Sequence, residues 1–210
     1  MEQGALFNCF TIFGLYNNGC FRLFQVAERL SQPGFKLKGG ILKKVLITGP
    51  EATGKSKLAR QLAQHFDSDW VEEYARTYLN KNGPGYSRSD LDHILRGQLD
   101  WIQQAEKGQN ECLFCDTGPE VIYIWSKHKY GVVSNEIERA ADEYRFDKVL
   151  LMNIDLPWEH DPLREAPSLD ERRIIFNRYV SFFQERNIDY TLISGSGLDR
   201  FSSALNSLKC

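Results

Sequence analysis

Residues 49–57 have the types and spacing of a phosphate-binding loop. They read Gly49-Pro50-Glu51-Ala52-Thr53-Gly54-Lys55-Ser56-Lys57 and contain a complete G-x-x-x-x-G-K-[ST] motif. The two glycines permit backbone angles that let successive N–H groups point at one phosphate. We expect Lys55 to reach the β- and γ-phosphates of ATP and the Ser56 hydroxyl to bind Mg²⁺. The whole run is therefore assigned to ATP binding.

The sequence on both sides of this loop predicts the elements that would hold it. Val45-Leu46-Ile47 is typical of a buried strand, and apolar residues recur with helical spacing after the loop at Leu58, Ala59, Leu62, Ala63 and Phe66. The N-terminus of that helix would add its positive dipole end to the bound anion. The alternative is an ordinary strand, turn and helix with no ligand.

Strands and helices alternate along the rest of the chain. Further strands are predicted near 69–72, 111–115, 148–154 and 190–193, with helices between them and at the C-terminal end. This alternation predicts an α/β fold in which a five-stranded parallel sheet carries helices on both faces. Ligands of such sheets bind at the carboxyl ends of the strands, so the residues that follow the strands should lie along one edge.

Two carboxylates follow predicted strands. Asp116 stands where phosphate-loop proteins place a carboxylate that holds Mg²⁺ or accepts the proton of the acceptor hydroxyl. Capping the next helix is its alternative role. Glu73 follows the second strand, and Arg76 lies one helical turn later, so an ion pair within the helix competes with substrate contact.

A proline- and charge-rich segment, 156–167, separates the fourth strand from a long helix. Its length without regular structure suits a lid that closes over the phosphates and excludes water. Arginines in or just after it would neutralise charge on the transferring phosphoryl group: Arg164, Arg172 and Arg173. A solvated, charged helix start is an equal interpretation of the last two. Trp125 and Trp158 have the chemistry to stack on an aromatic ring, although Trp125 is equally suited to the core.

Composition favours a small-molecule partner over nucleic acid or a membrane. The 210 residues carry 26 basic and 28 acidic side chains, for a net charge of −2, so no basic surface is indicated. The apolar residues near the N-terminus are too few in a row to span a membrane. We divide the chain into an extension of unassigned role, 1–40, and one domain, 41–210, and leave homo-oligomerisation open.

Cysteine usage favours the cytoplasm. The five cysteines are scattered, and the C-x-x-C of Cys112 and Cys115 falls inside a predicted strand, where residues three apart point to opposite faces. Buried reduced thiols are therefore a better interpretation than a disulfide or a metal site.

Several motifs together resemble the ribosylnicotinamide kinase domain of NadR-type NAD-biosynthesis proteins over about residues 44–208. They are the phosphate loop, Glu73-Tyr74-Ala75-Arg76, Cys115-Asp116-Thr117, Trp125-Ser126 with Tyr130-Gly131, and Asp155-Leu156-Pro157-Trp158 with Asp161-Pro162-Leu163-Arg164. The resemblance implies a three-layer P-loop kinase fold with a lid. It also implies ATP- and Mg²⁺-dependent phosphorylation of the 5′-hydroxyl of nicotinamide riboside, which gives nicotinamide mononucleotide.

Residue roles follow from the loop, the strand ends and this resemblance taken together. The catalytic set is Lys55, Glu73, Asp116 and Arg164. The nucleoside-binding set is Glu73, Tyr74, Arg76, Asp116 and Trp125. The lid set is Trp158, Arg164, Arg172 and Arg173, and Mg²⁺ is assigned to Ser56 and Asp116.

The chain departs from the family pattern at two positions. The family motif reads Asp-Thr-Asp, whereas this chain has Asp116-Thr117-Gly118, and Glu72 stands where bifunctional members place an aromatic residue. The base pocket is therefore expected to differ. Two alternatives stay open, namely a kinase for another nucleoside or nucleotide, and a regulatory module that binds ATP without phosphorylating a metabolite.

Overall fold

The structure is a computed structural model that describes residues 42–108 and 110–208, so the predicted extension 1–40 lies outside the described residues. The strands are β1 (Lys43–Thr48), β2 (Asp69–Val71), β3 (Cys112–Asp116), β4 (Lys148–Met152) and β5 (Thr191–Ile193). The helices are α1 (Lys55–Phe66), α2 (Tyr74–Asn82), α3 (Arg88–Ala105), α4 (Pro119–Tyr130), α5 (Asn135–Glu143), α6 (Leu169–Glu185) and α7 (Gly197–Leu208).

The five strands form one parallel sheet in the order β2-β3-β1-β4-β5. All five residues of β3 are buried, although successive side chains point to opposite faces. Helices therefore cover both faces of the sheet: α1 packs against α7, while α3, α4 and α5 pack together and α6 packs on α4. The predicted α/β fold is confirmed.

Within the described ranges, no helix is both long and apolar enough to cross a membrane.

Strand β1 lies in the centre of the sheet, and its pairing with β3 and β4 fixes the position of the phosphate loop relative to those strands. Ile47 pairs with Asp116 of β3, and the N–H of Thr117 donates to the Ile47 carbonyl at 3.0 Å. On the other side, β4 comes so close that a Cβ at Gly49 would lie 2.9 Å from the Met152 carbonyl oxygen. Gly49 also has a φ of +136°, so only glycine fits this first position of the loop.

A buried glutamine joins β2, α2 and the end of β3. The Gln98 side chain accepts from the N–H of Tyr74 at 2.7 Å and donates to the carbonyls of Glu72, at 3.2 Å, and Thr117, at 3.4 Å. Only 1% of Gln98 is exposed. Since Glu73 lies between two of these partners, Gln98 fixes its backbone relative to the end of β3.

Gln98→Leu should destabilise the protein. Leucine keeps most of the volume but leaves buried backbone groups unpaired, so we expect the free energy of unfolding to fall by about 1–3 kcal/mol. Urea titration measures the change. The matched control is Gln103→Leu, which alters an exposed residue of the same helix. Equal effects of the two substitutions would contradict the linking role of Gln98.

Candidate active site

Hydrogen bonds within the chain hold the phosphate loop. The N-terminal end of α1 has no acidic residue in its first turn, so its positive dipole end is available to an anion. The loop is held from inside by the Thr53 hydroxyl, which donates to the Pro50 carbonyl at 2.7 Å. The ammonium group of Lys55 donates to the carbonyls of Gly49 and Pro50, each at 3.0 Å. These contacts hold its charge at the mouth of the loop.

Asp116 is the last residue of β3, with 1% of its surface exposed, and its Oδ1 has no hydrogen-bond partner among the described residues. Burial raises its pKa to about 7, and the neighbouring Glu73 carboxylate adds to the rise. Lys55, Ser56 and Arg76 act in the opposite direction. An unpartnered buried carboxylate oxygen of this kind is suited to a cation or a proton.

A cleft of about 790 Å³ opens above the loop. The loop, helix α1, helix α2, the start of α4 and the lid segment all line it. Of the residues assigned from sequence, those that line it are Gly49, Glu51, Ala52, Thr53, Gly54, Lys55, Ser56, Lys57, Glu73, Arg76, Trp125 and Arg164. This volume lies within the range of ordinary ligand pockets.

A network of opposite charges joins α2 to the lid beside the cleft. Arg76 pairs with Asp161 of the lid at 2.6 Å and lies 3.9 Å from Glu73. Arg164 lies 3.9 Å from the same Asp161 carboxylate. The ion pair between Glu73 and Arg76, which the sequence left open beside substrate contact, therefore exists, but Arg76 lies closer to Asp161 of the lid.

Pro50 of the loop and the buried Asp116 do not line the cleft, and four further assigned residues lie outside its lining as well. Tyr74 turns toward α3, where its ring packs edge-on against Trp101 at 4.8 Å. The Arg172 guanidinium is buried beside Trp158 and donates to the Leu156 carbonyl at 3.1 Å, so it supports the lid from beneath. Arg173 forms an exposed pair with Asp170 at 3.0 Å. The structure brings none of these four side chains onto the cleft surface.

Arg200 is a site residue that sequence reasoning missed. It lines the cleft, pairs with Asp155 and donates to the Thr53 carbonyl of the loop at 3.0 Å and the Gly195 carbonyl at 2.8 Å. Burial lowers its pKa, and Asp155 opposes that change. No local pattern could have found it, because its partners lie up to 147 positions away.

The structure explains the glycine at position 118. A Cβ there would lie 2.7 Å from Oε2 of Glu120 and 2.9 Å from the Phe146 ring, so the space of an aspartate is already filled. The Gly118 N–H donates to the Glu120 carboxylate at 3.1 Å. Glu120 is 3% exposed and does not line the cleft. It therefore does not replace the missing carboxylate, and the exposed Glu72 does not line the cleft either.

The residues present fit a magnesium ion held mainly by phosphates. Among the described residues no group of three or more His, Cys, Asp or Glu side chains could hold a metal. Mg²⁺ commonly takes one or two protein oxygens and completes its shell with phosphates and water. The free Oδ1 of Asp116 and the Ser56 hydroxyl meet that requirement.

Glu120→Gln should change how stability depends on pH. Burial raises the pKa of Glu120 to about 7, so the folded protein favours the protonated carboxyl. The stability of the protein is therefore unaffected by this group below about pH 4 and falls as pH rises toward 7, because the carboxyl ionises more readily in the unfolded chain. Glutamine cannot ionise, and we expect the variant to be more stable at pH 8 by up to about 3 kcal/mol, with little difference at pH 4. Urea titrations across this range test the change. An unaltered pH slope, or the same change in the exposed Glu138→Gln control, would contradict it.

The sequence of this chain is similar to those of known NadR proteins. The chain is 31% identical over 168 residues to the trifunctional NAD biosynthesis/regulator protein NadR of Salmonella typhimurium and to that of Escherichia coli. The match covers 78% of this chain and 41% of each relative, so the chain spans less than half the length of these relatives.

Solved NadR structures share the fold. One, in complex with NR, has a TM-score of 0.64 at 20% identity and covers 79% of this chain and 50% of that one. Another, in complex with NAD and AMP-PNP, has a TM-score of 0.62 at 22% identity and covers 79% and 48%. A family model described as an AAA domain matches residues 44–200, which include the phosphate loop, Asp116 and Arg200. The chain belongs to this AAA domain family.

Proposed function

We propose that this chain is an ATP-dependent kinase that phosphorylates the 5′-hydroxyl of nicotinamide riboside and forms nicotinamide mononucleotide. The observation that carries the proposal is that one cleft joins a phosphate loop, the Glu73 carboxylate and the Arg164 guanidinium of a lid. The NadR relatives and the solved complexes with NR and with AMP-PNP support the same substrates.

The loop holds the donor. Backbone N–H groups and the dipole of α1 bind the phosphates, and the Lys55 ammonium exchanges its two carbonyl partners for phosphate oxygens. The Arg200 guanidinium also stabilises the loop, because it donates to the Thr53 carbonyl. Ser56 and Asp116 would hold Mg²⁺, which neutralises charge on the phosphates when bound.

Glu73 orients and deprotonates the acceptor hydroxyl. It borders the cleft as the residue before α2, with 21% of its side chain exposed, so it can reach both solvent and substrate. Asp116 is the alternative base, since its raised pKa suits proton transfer near neutral pH. Arg164 neutralises charge on the phosphoryl group as it moves.

Charge favours a nucleoside over a nucleotide as the acceptor. A nucleotide brings a phosphate that needs a free cation, but Arg76 and Arg164 already share the Asp161 carboxylate. Nicotinamide riboside carries no phosphate, and its pyridinium ring is cationic, which suits a cleft lined by the Glu73 carboxylate. Trp125 lines the same cleft and offers an aromatic surface for that ring.

A cytoplasmic location is part of the proposal. Cys112 and Cys115 are both buried and free, as predicted from their position in β3. Unpaired thiols are typical of a reducing compartment.

A nucleoside panel tests the proposal. The purified chain should convert nicotinamide riboside to nicotinamide mononucleotide with ATP and Mg²⁺, faster than it phosphorylates adenosine, cytidine, thymidine or thymidylate. Chromatography of the products measures each rate, and Lys55→Ala is the inactive control. Preferred phosphorylation of another acceptor would overturn the substrate, and ATP binding without any transfer would favour a regulatory module.

Asp116→Asn should separate binding from transfer. The amide keeps the shape of the side chain but loses its charge, so kcat should fall by about 100-fold or more while ATP binding without Mg²⁺ is largely unchanged. Single-turnover phosphoryl transfer and equilibrium ATP binding measure the two effects. Asp100→Asn, on the exposed face of α3, is the control. Unchanged turnover in Asp116→Asn would refute its assigned role.

A further inference from the structure

The Glu51 side chain of the phosphate loop contacts the lid. Its carboxylate accepts from the N–H of Glu165 at 2.9 Å to one oxygen and 3.1 Å to the other. It also accepts from the N–H of Ala166 at 3.0 Å. These partners lie 114 and 115 positions along the chain, so the contact joins the loop to a distant segment.

The two amides directly follow Arg164. Ala166 is 1% exposed and so anchors this end of the lid in the protein. Before Arg164, the Asp161 carboxylate accepts from Arg76 at 2.6 Å and from the N–H of Leu163 at 3.0 Å. Arg164 is therefore held between two anchors, one on the phosphate loop through Glu51 and one on α2 through Asp161.

The hydrogen bonds from the Glu165 and Ala166 N–H groups offset the negative charge of Glu51. A carboxylate beside a phosphate-binding loop repels the phosphates, and burial raises the pKa of Glu51 while the two amides and Lys55 lower it. Backbone N–H groups that donate to the carboxylate offset part of its charge. An undocked lid would withdraw these donors and leave the carboxylate facing the phosphates.

We propose that Glu51 is a positioning residue that docks the lid onto the phosphate loop and thereby places Arg164 over the transferring phosphoryl group. The catalytic part of this inference rests on the proposed kinase function. Docking itself does not, because the hydrogen bonds that join Glu51 to the lid involve only groups of this chain.

A double-mutant cycle tests the catalytic part. Glu51→Ala should lower kcat about tenfold because the lid no longer holds Arg164, and Arg164→Ala should lower it at least as much. In the Arg164→Ala background, Glu51→Ala should then add less than about a twofold loss. Effects that multiply would show that Glu51 acts without Arg164 and would overturn the proposal. Glu51→Gln, which keeps one acceptor oxygen, should recover part of the rate.

Limited trypsin digestion tests docking without catalysis. Cleavage after Arg164 should be several-fold faster in Glu51→Ala than in the parent protein, whereas Glu143→Ala, an exposed change on α5, should leave it unaltered. Urea titration separates local opening from global unfolding. Cleavage at the parent rate would overturn the docking role even in an active kinase. Faster cleavage in a protein that phosphorylates no nucleoside would contradict only the proposed function.

Discussion

The parallel pairing of β1 between β3 and β4 is the constraint on which the site depends. Pairing with β3 places Asp116 beside Ile47, two residues before the phosphate loop begins. Pairing with β4 brings the Met152 carbonyl so close to Gly49 that no side chain fits there. The strand register thus fixes the relative positions of the loop, Asp116 and the start of the lid after β4. A slip of one residue in the pairing of β1 with β3 would take Asp116 out of register with Ile47.

Three carboxyl groups in or near the phosphate loop have raised pKa values: Glu51, Asp116 and Glu120. Asp116 and Glu120 are almost fully buried, and burial raises the pKa of both to about 7. Glu51 has its pKa raised as well. Each carboxylate has a different counterpart: backbone amides of the lid for Glu51, the Gly118 amide for Glu120, and an open oxygen for Asp116. The carboxylate oxygen without a hydrogen-bond partner belongs to Asp116, to which the proposed mechanism gives a catalytic role. Buried polar groups without partners are expected at functional sites.

The chain departs from the family pattern at Gly118 and Glu72, and the surroundings of these two residues differ. At position 118 the protein has filled the missing side chain's space with Phe146 and Glu120, so the absence of an aspartate is built into the packing. At position 72 the side chain is exposed outside the cleft, while its carbonyl is tied to Gln98. Differences in acceptor recognition are therefore to be sought at Trp125 and the lid, which do line the cleft.

The sequence by itself determined the local features: the loop motif, the strand and helix order, and the carboxylates at strand ends. These depend on residue type, periodicity and short spacing, which the chain carries without its fold. It also left open an ion pair between Glu73 and Arg76, since three positions on a helix bring side chains together, and the structure contains that pair. Only the tertiary structure decided that Arg76 pairs more closely with Asp161, that Glu51 faces the lid and that Arg200 braces the loop. Each of these contacts joins residues more than 80 positions apart, and no periodic pattern encodes which distant polar groups will meet.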